Sequence, residues 1–143
     1  MRYAISSCLM GVNCKYNGGN NLNSKLKEFM RDKEYVLICP EVLGGLSTPR
    51  ACCEIVNGKV MNTNHEDVTE PFEHGAQIAY QQILDFQADI VITQSRSPSC
   101  GNGIIYDGSF SGHLIEGNGK FVQYLLEKEI PVIDVERFLT NIS

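Results

Sequence analysis

Tyr35-Val36-Leu37-Ile38-Cys39-Pro40 is the stretch that decides the fold. Its apolar run includes the aromatic Tyr35 and the β-branched Val36 and Ile38, the pattern of a buried strand. Such strands belong to parallel sheets covered by helices. Pro40 ends the run, because it has no N–H to give the ladder and restrains the residue before it. Cys39 therefore stands at the carboxyl end of a buried strand.

Upstream, Tyr3 to Ser6 is a second, shorter strand candidate, and it runs into Ser7-Cys8-Leu9-Met10-Gly11 and a polar loop with Gly18-Gly19. Cys8 thus follows a strand as well. Leu22, Leu26, Phe29 and Met30 then recur at helical spacing, with Ser24 as a cap, and predict a helix to about Asp32. Downstream, Asn57-Gly58 between Cys53-Glu54-Ile55-Val56 and Lys59-Val60-Met61 is a two-residue hairpin signal, since both turn positions favour positive φ. Thr69-Glu70-Pro71 opens the longest helix, ending near Gln87, with Phe72, Ala76, Ala79, Ile83 and Phe86 on its buried face. Asp89 to Thr93 is a third buried strand, and it leads into the turn-rich Ser95-Arg96-Ser97-Pro98-Ser99-Cys100-Gly101. Residues 102–119 read as loop with a short extended pair around Ile104-Ile105-Tyr106. A helical stripe of Phe121, Val122, Leu125 and Leu126 follows, then a strand over Pro131 to Val135 and a short terminal helix.

Strands alternating with helices predict an α/β fold: a single domain over residues 1–143, with a Rossmann-like, mostly parallel sheet of about four strands flanked by helices and an inserted β-hairpin. In such sheets ligands bind outside the carboxyl ends of the strands. Cys8, Cys39 and Cys100 each lie just past a different strand, so three residues far apart in sequence are expected in one crevice.

The chain has 143 residues, 43% of them hydrophobic, enough for one packed core without metal or disulfide staples. Its six cysteines are therefore free for another task. No apolar run approaches the roughly 20 residues that span a bilayer, and no basic leader precedes one; the expected location is the cytoplasm, away from membranes. A net charge of −5 argues against direct nucleic-acid binding and favours a small-molecule partner.

Taken by spacing alone, the cysteines match no strong motif: Cys8 to Cys14 is C-x5-C, and no C-x2-C pair occurs. Three converging thiolates leave one corner of a tetrahedral or cuboidal centre open, which is what a catalytic metal needs. Soft sulfur ligands favour an iron-sulfur cluster or zinc. The competing reading is three small residues buried at strand ends. Cys14 reads as structural or as a neighbour of the ligands. Cys52 and Cys53 read as packing residues, since adjacent strand side chains point to opposite faces. His65, His74 and His113 are isolated and read as non-ligands. Arg50 and Arg96 either orient a substrate or pair with acids. Ser97 and Ser99 are of a kind that commonly bonds turn amides.

Ser7-Cys8-Leu9-Met10-Gly11, Cys14-Lys15-Tyr16-Asn17-Gly18, Cys39-Pro40-Glu41, Gly44-Gly45-Leu46, Pro49-Arg50, Asp67-Val68-Thr69, Ser97-Pro98-Ser99-Cys100-Gly101 and Tyr106-Asp107-Gly108 occur in this order over nearly the whole chain. Together they resemble a bacterial domain-of-unknown-function family that includes thiouracil desulfidase. The resemblance implies a [4Fe-4S] cluster on Cys8, Cys39 and Cys100, with the fourth iron free for the sulfur of a small thiolated substrate such as 2-thiouracil. It also implies Glu41 and Ser97 as proton-handling residues, sulfide as product and no net redox change. Two features depart from the family pattern: Cys52-Cys53 stands where relatives usually carry Pro-Ala, and Lys15 replaces the usual arginine. Two other functions fit the surplus thiols: a metal or sulfur carrier without turnover, and a redox sensor pairing Cys8 with Cys39 or Cys52 with Cys53.

Overall fold

The computed structural model describes residues 1–142. Strand β1 (Arg2–Ser6) passes into a 3-10 turn over Ser7–Met10, and after a loop comes helix α1 (Ser24–Met30). Strand β2 (Glu34–Ile38) leads into a one-turn helix α2 (Pro40–Leu43), then the hairpin β3 (Cys53–Val56) and β4 (Lys59–Asn62). Helix α3 (Thr69–Phe86) precedes β5 (Ile90–Thr93), a second hairpin β6 (Asn102–Tyr106) and β7 (Leu114–Asn118), helix α4 (Lys120–Glu127), strand β8 (Val132–Asp134) and helix α5 (Val135–Asn141).

The central sheet has the order β2-β1-β5-β8, and every pairing in it is parallel. From β1 the chain moves outward to β2, then returns to the other side of β1 to lay down β5. The winding direction therefore reverses between β1 and β5, and at such a switch point the loops leaving the two strands diverge and open a crevice. The predicted mostly parallel sheet of four strands is observed, with both hairpins lying outside it as two-stranded sheets.

Strand alternation divides the core into two layers. Ala4, Ile38 and Val91 face one side of the sheet and pack on Ala76, Ala79 and Ile83 of α3 and Phe121 and Leu125 of α4. Tyr3, Ile5 and Ile92 face the other side and pack on Leu26 and Met30 of α1 and Val135 and Phe138 of α5. A smaller cluster of Cys53, Val60 and Phe72 seats the first hairpin on α3.

Three boundaries differ from the sequence expectations. The cap of α1 is Asn23, whose side chain accepts from the Leu26 amide, and the helix ends at Met30. Val135 begins the last helix, because Asp134 accepts the Glu136 amide and caps it there. Pro40 does more than end a strand: it occupies the first turn of α2, where a missing N–H costs nothing.

That short helix is held by a backbone contact. A Cβ on Gly75 would lie 1.8 Å from the Pro40 carbonyl oxygen, and one on Gly44 would lie 2.0 Å from that of Pro71. Only glycine at both places lets α2 and α3 touch main chain to main chain. The contact fixes the direction in which α2 leaves the sheet.

Candidate active site

A cavity of about 380 Å³ opens at the carboxyl ends of the central strands, and all six cysteines of the chain line it. Cys8 arrives on the 3-10 turn after β1, Cys39 at the junction of β2 and α2, and Cys100 on the loop after β5. All six are free thiols. Cys100 is buried, whereas Cys8 and Cys39 are half-buried. Among the described residues, no three His, Cys, Asp or Glu side chains form a preformed single-ion site.

Each thiol has its own electrostatic setting. Cys14 hydrogen-bonds to both Cys8 and Cys39, and these bonds are the leading reason that the pKa of Cys8 is lowered and that of Cys39 falls to about 7. Asn21 Nδ2 adds a donor 3.5 Å from Cys8 Sγ. The same two interactions, first that with Cys39, push Cys14 far up, so Cys14 keeps its single proton, which serves one of the two sulfurs at a time. Burial raises Cys100 and Cys53 to about 12 each. Ser6 Oγ points a donor at Cys100 Sγ from 3.4 Å and partly offsets that burial.

Glu41, on the first turn of α2, is fastened on both carboxylate oxygens. Its Oε1 accepts from Arg50 Nε at 3.0 Å and lies 3.0 Å from Nη2 in an ion pair, and its Oε2 accepts from Ser99 Oγ at 2.7 Å. Other N–H groups of Arg50 donate to the carbonyls of Cys14 and Ser47 and to Thr48 Oγ1. With its Nε, Nη1 and Nη2 all hydrogen-bonded within the protein and its side chain 7% exposed, Arg50 holds the carboxylate in place. Of the two sequence readings of this arginine, pairing with an acid is the one realised. Arg96 also pairs with an acid, Glu136 at 3.4 Å, but both are exposed and the pair is loose.

The Cys100 loop is anchored from the opposite side. Amides at the start of α4 and just before it, those of Gly119, Lys120 and Phe121, donate to the carbonyls of Gly101, Pro98 and Ser99. Inside the loop, Ser97 Oγ accepts the Cys100 amide at 2.6 Å and lies 3.3 Å from Ser99 Oγ. Ser97 thus bonds a turn amide, as serines in such turns commonly do, while Ser99 reaches 58 positions back to Glu41.

Residues 4–137 match the family described as 2-thiouracil desulfurase. The chain belongs to that family. It is 41% identical over 125 residues to the uncharacterized protein YbbK of Bacillus subtilis (strain 168), covering 80% of this chain and 83% of that one. A solved structure described as the [4Fe-4S]-dependent thiouracil desulfidase TudS superposes with a TM-score of 0.88 at 32% identity, over 95% of this chain and 91% of the other. As a member of the 2-thiouracil desulfurase family, the chain is a desulfidase-like enzyme of carbon-sulfur bond cleavage.

Cys8, Cys39, Cys100, Glu41 and Ser97, singled out in the sequence, all line the one cavity. The three histidines are exposed and lie outside its wall. Cys53 packs on Val60 and Phe72, as expected of a packing residue. Cys52 precedes the first residue of β3, so strand alternation does not act on it, and it lines the cavity beside Cys53. The bond from Ser99 to Glu41 is not legible in the sequence. Its only trace there is the Ser-Pro-Ser spacing, which does not reveal which serine meets the acid.

Proposed function

We propose that the protein is a [4Fe-4S]-dependent, non-redox desulfidase of a small thiolated compound, with 2-thiouracil as the first substrate to test, acting in the cytoplasm. The observation that carries the reading is the delivery of Cys8, Cys39 and Cys100 by three different elements to one cavity that also holds a clamped carboxylate. The donor set suits the cofactor. Three soft sulfurs come from separate elements, the surroundings favour thiolate at two of them, and about 380 Å³ is space for a cluster or a small ligand beside them.

Cys8, Cys39 and Cys100 would hold the cluster. When bound, it supplies an iron without a protein thiolate, a Lewis acid that draws electron density from a thiocarbonyl sulfur. The protein's own groups do the rest. Glu41, fixed by Arg50, is the base that takes a proton from attacking water, and Ser97 is the hydroxyl that hands protons to and from the reacting atoms. In sum, a thiocarbonyl and water give a carbonyl and hydrogen sulfide, with nothing oxidised or reduced.

Anaerobic reconstitution with iron and sulfide, followed by incubation with 2-thiouracil, tests this. An absorbance band near about 400 nm from thiolate-to-iron charge transfer is expected, with sulfide released over many turnovers. Cys8→Ser, Cys39→Ser and Cys100→Ser should each lose the band, while Cys52→Ala and Cys53→Ala keep it. Failure of the wild-type chain to develop the band would rule out the cluster. Stoichiometric metal without turnover would establish a carrier instead, the reading that the cavity-lining Cys14, Cys52 and Cys53 would then explain.

A further inference from the structure

Glu41 and Ser97 share a cavity, but no hydrogen bond joins them directly among the described residues; Ser99 stands between. The order of protons along this line is fixed by what each group can do. Ser99 has one hydroxyl proton, and it donates that proton to Glu41 Oε2 at 2.7 Å. The sulfur of Cys100, 3.7 Å from Ser99 Oγ, is a much weaker competitor. Ser99 Oγ is then left with lone pairs alone, so Ser97 must be the donor across the 3.3 Å between the hydroxyls. Ser97 Oγ in turn accepts the Cys100 amide at 2.6 Å, which holds it in place and leaves its proton for Ser99. Ser99 is 2% exposed, so water does not readily replace it in the line.

We propose that Ser99 is a proton relay between Ser97 and Glu41, a role that rests on the desulfidase reading and specifies how its two proton-handling residues communicate. A water at Ser97 gives a proton to Ser97 Oγ as the proton of Ser97 passes to Ser99 Oγ and that of Ser99 passes to Glu41 Oε2. Both serines end neutral and protonated, the carboxylate becomes a carboxylic acid, and the oxygen of the water bonds to the substrate carbon. Run backwards, the same line returns that proton to the departing sulfur, and the proton left on the new hydroxyl passes to the hydrosulfide as the carbonyl forms, giving hydrogen sulfide. No electron changes hands. Arg50 on Oε1 leaves Oε2 as the oxygen that works, which is why the relay runs through Ser99 and not through the other face of the carboxylate.

The test compares wild type, Ser99→Ala and Ser99→Thr as cluster-loaded proteins, with a second reading on the metal-free chain. Ser99→Ala should keep the full absorbance per chain and a KM within about twofold, while kcat falls by about 100-fold or more, the usual contribution of placed acid-base groups. Rates in mixtures of light and heavy water should report several protons in flight for wild type and one for Ser99→Ala. Ser99→Thr, which keeps the hydroxyl, should recover most of kcat and the multi-proton response. In the metal-free wild type, NMR should show a slowly exchanging Ser99 hydroxyl proton, and the Ser97 hydroxyl proton should lose its protection in Ser99→Ala. A Ser99→Ala variant with near-normal kcat and an unchanged response to heavy water would overturn the relay while leaving the desulfidase reading standing. Wild type that releases no sulfide from any thiolated pyrimidine would overturn the desulfidase reading, and with it the relay's function. The metal-free measurement would still show whether the hydrogen-bonded line exists.

Discussion

At the scale of single residues, the thiols differ in chemistry more than in position. Cys39 titrates at about 7, mainly because Cys14 donates a hydrogen bond to it, whereas burial holds Cys100 at about 12. A lowered pKa means the thiolate is present above that value and is lost as pH falls through it. Alkylation of the metal-free protein should therefore rise at Cys39 through about pH 7, with Cys8 also reacting below its ordinary thiol range. Cys100 and Cys53 should stay unlabelled across neutral pH. Cysteine-resolved mass spectrometry over a pH series reads this, and Cys14→Ala should move the Cys39 midpoint upward by removing its main donor. Strand-end placement makes Cys8, Cys39 and Cys100 legible as a group in the sequence alone. What placement does not give is their individual state, which depends on Cys14, a residue whose spacing carries no motif.

At the scale of elements, the site depends on α2, a helix too short to announce itself in the sequence. Cys39-Pro40 reads correctly as the end of a strand, but the turn that follows is stabilised by its contact with α3 and not by its own four residues. The same limit explains Asn23 taking the cap from Ser24: both residue types suit the position, and packing of Leu26 and Met30 into the core chooses the phase. Gly75 is the place to test the dependence. Gly75→Ala would put a methyl 1.8 Å from the Pro40 oxygen, which cannot be met by a rotamer change and must push α2 away from α3. Overpacking of this kind costs about 1–3 kcal/mol. Thermal unfolding should show a Tm several degrees lower, and the displaced α2 should weaken cluster retention, because Cys39 precedes that helix and Glu41 lies in it. A Gly75→Ala protein with wild-type Tm and cluster content would show that the glycine contact does not set the site.

At the scale of the whole molecule, the two core layers are separate from most of the thiol set. Phe121, Leu125, Ala79 and Ile83 fill one face of the sheet, and Ile5, Leu26, Met30 and Ile92 fill the other. Of the candidate ligands, Cys100 is a buried member of one core layer, Cys8 is half-buried and packs against the other, and Cys39 is half-buried at the cavity. Folding should then precede cofactor binding. The metal-free protein is expected to unfold in one cooperative transition, and loading the cluster should raise its Tm because the folded state alone presents the three thiols together. Cys8→Ser and Cys39→Ser, near-isosteric changes at half-buried side chains, should change metal-free stability by no more than about 1 kcal/mol. Phe121→Ala should cost about 3–5 kcal/mol, since a fully buried ring leaves a cavity that its neighbours fill only in part. Circular dichroism melts of the four metal-free proteins decide the matter. If the metal-free wild type shows no cooperative transition, the cluster is a folding element rather than a guest in a finished site; if the serine variants melt as low as Phe121→Ala, the thiols belong to the core after all.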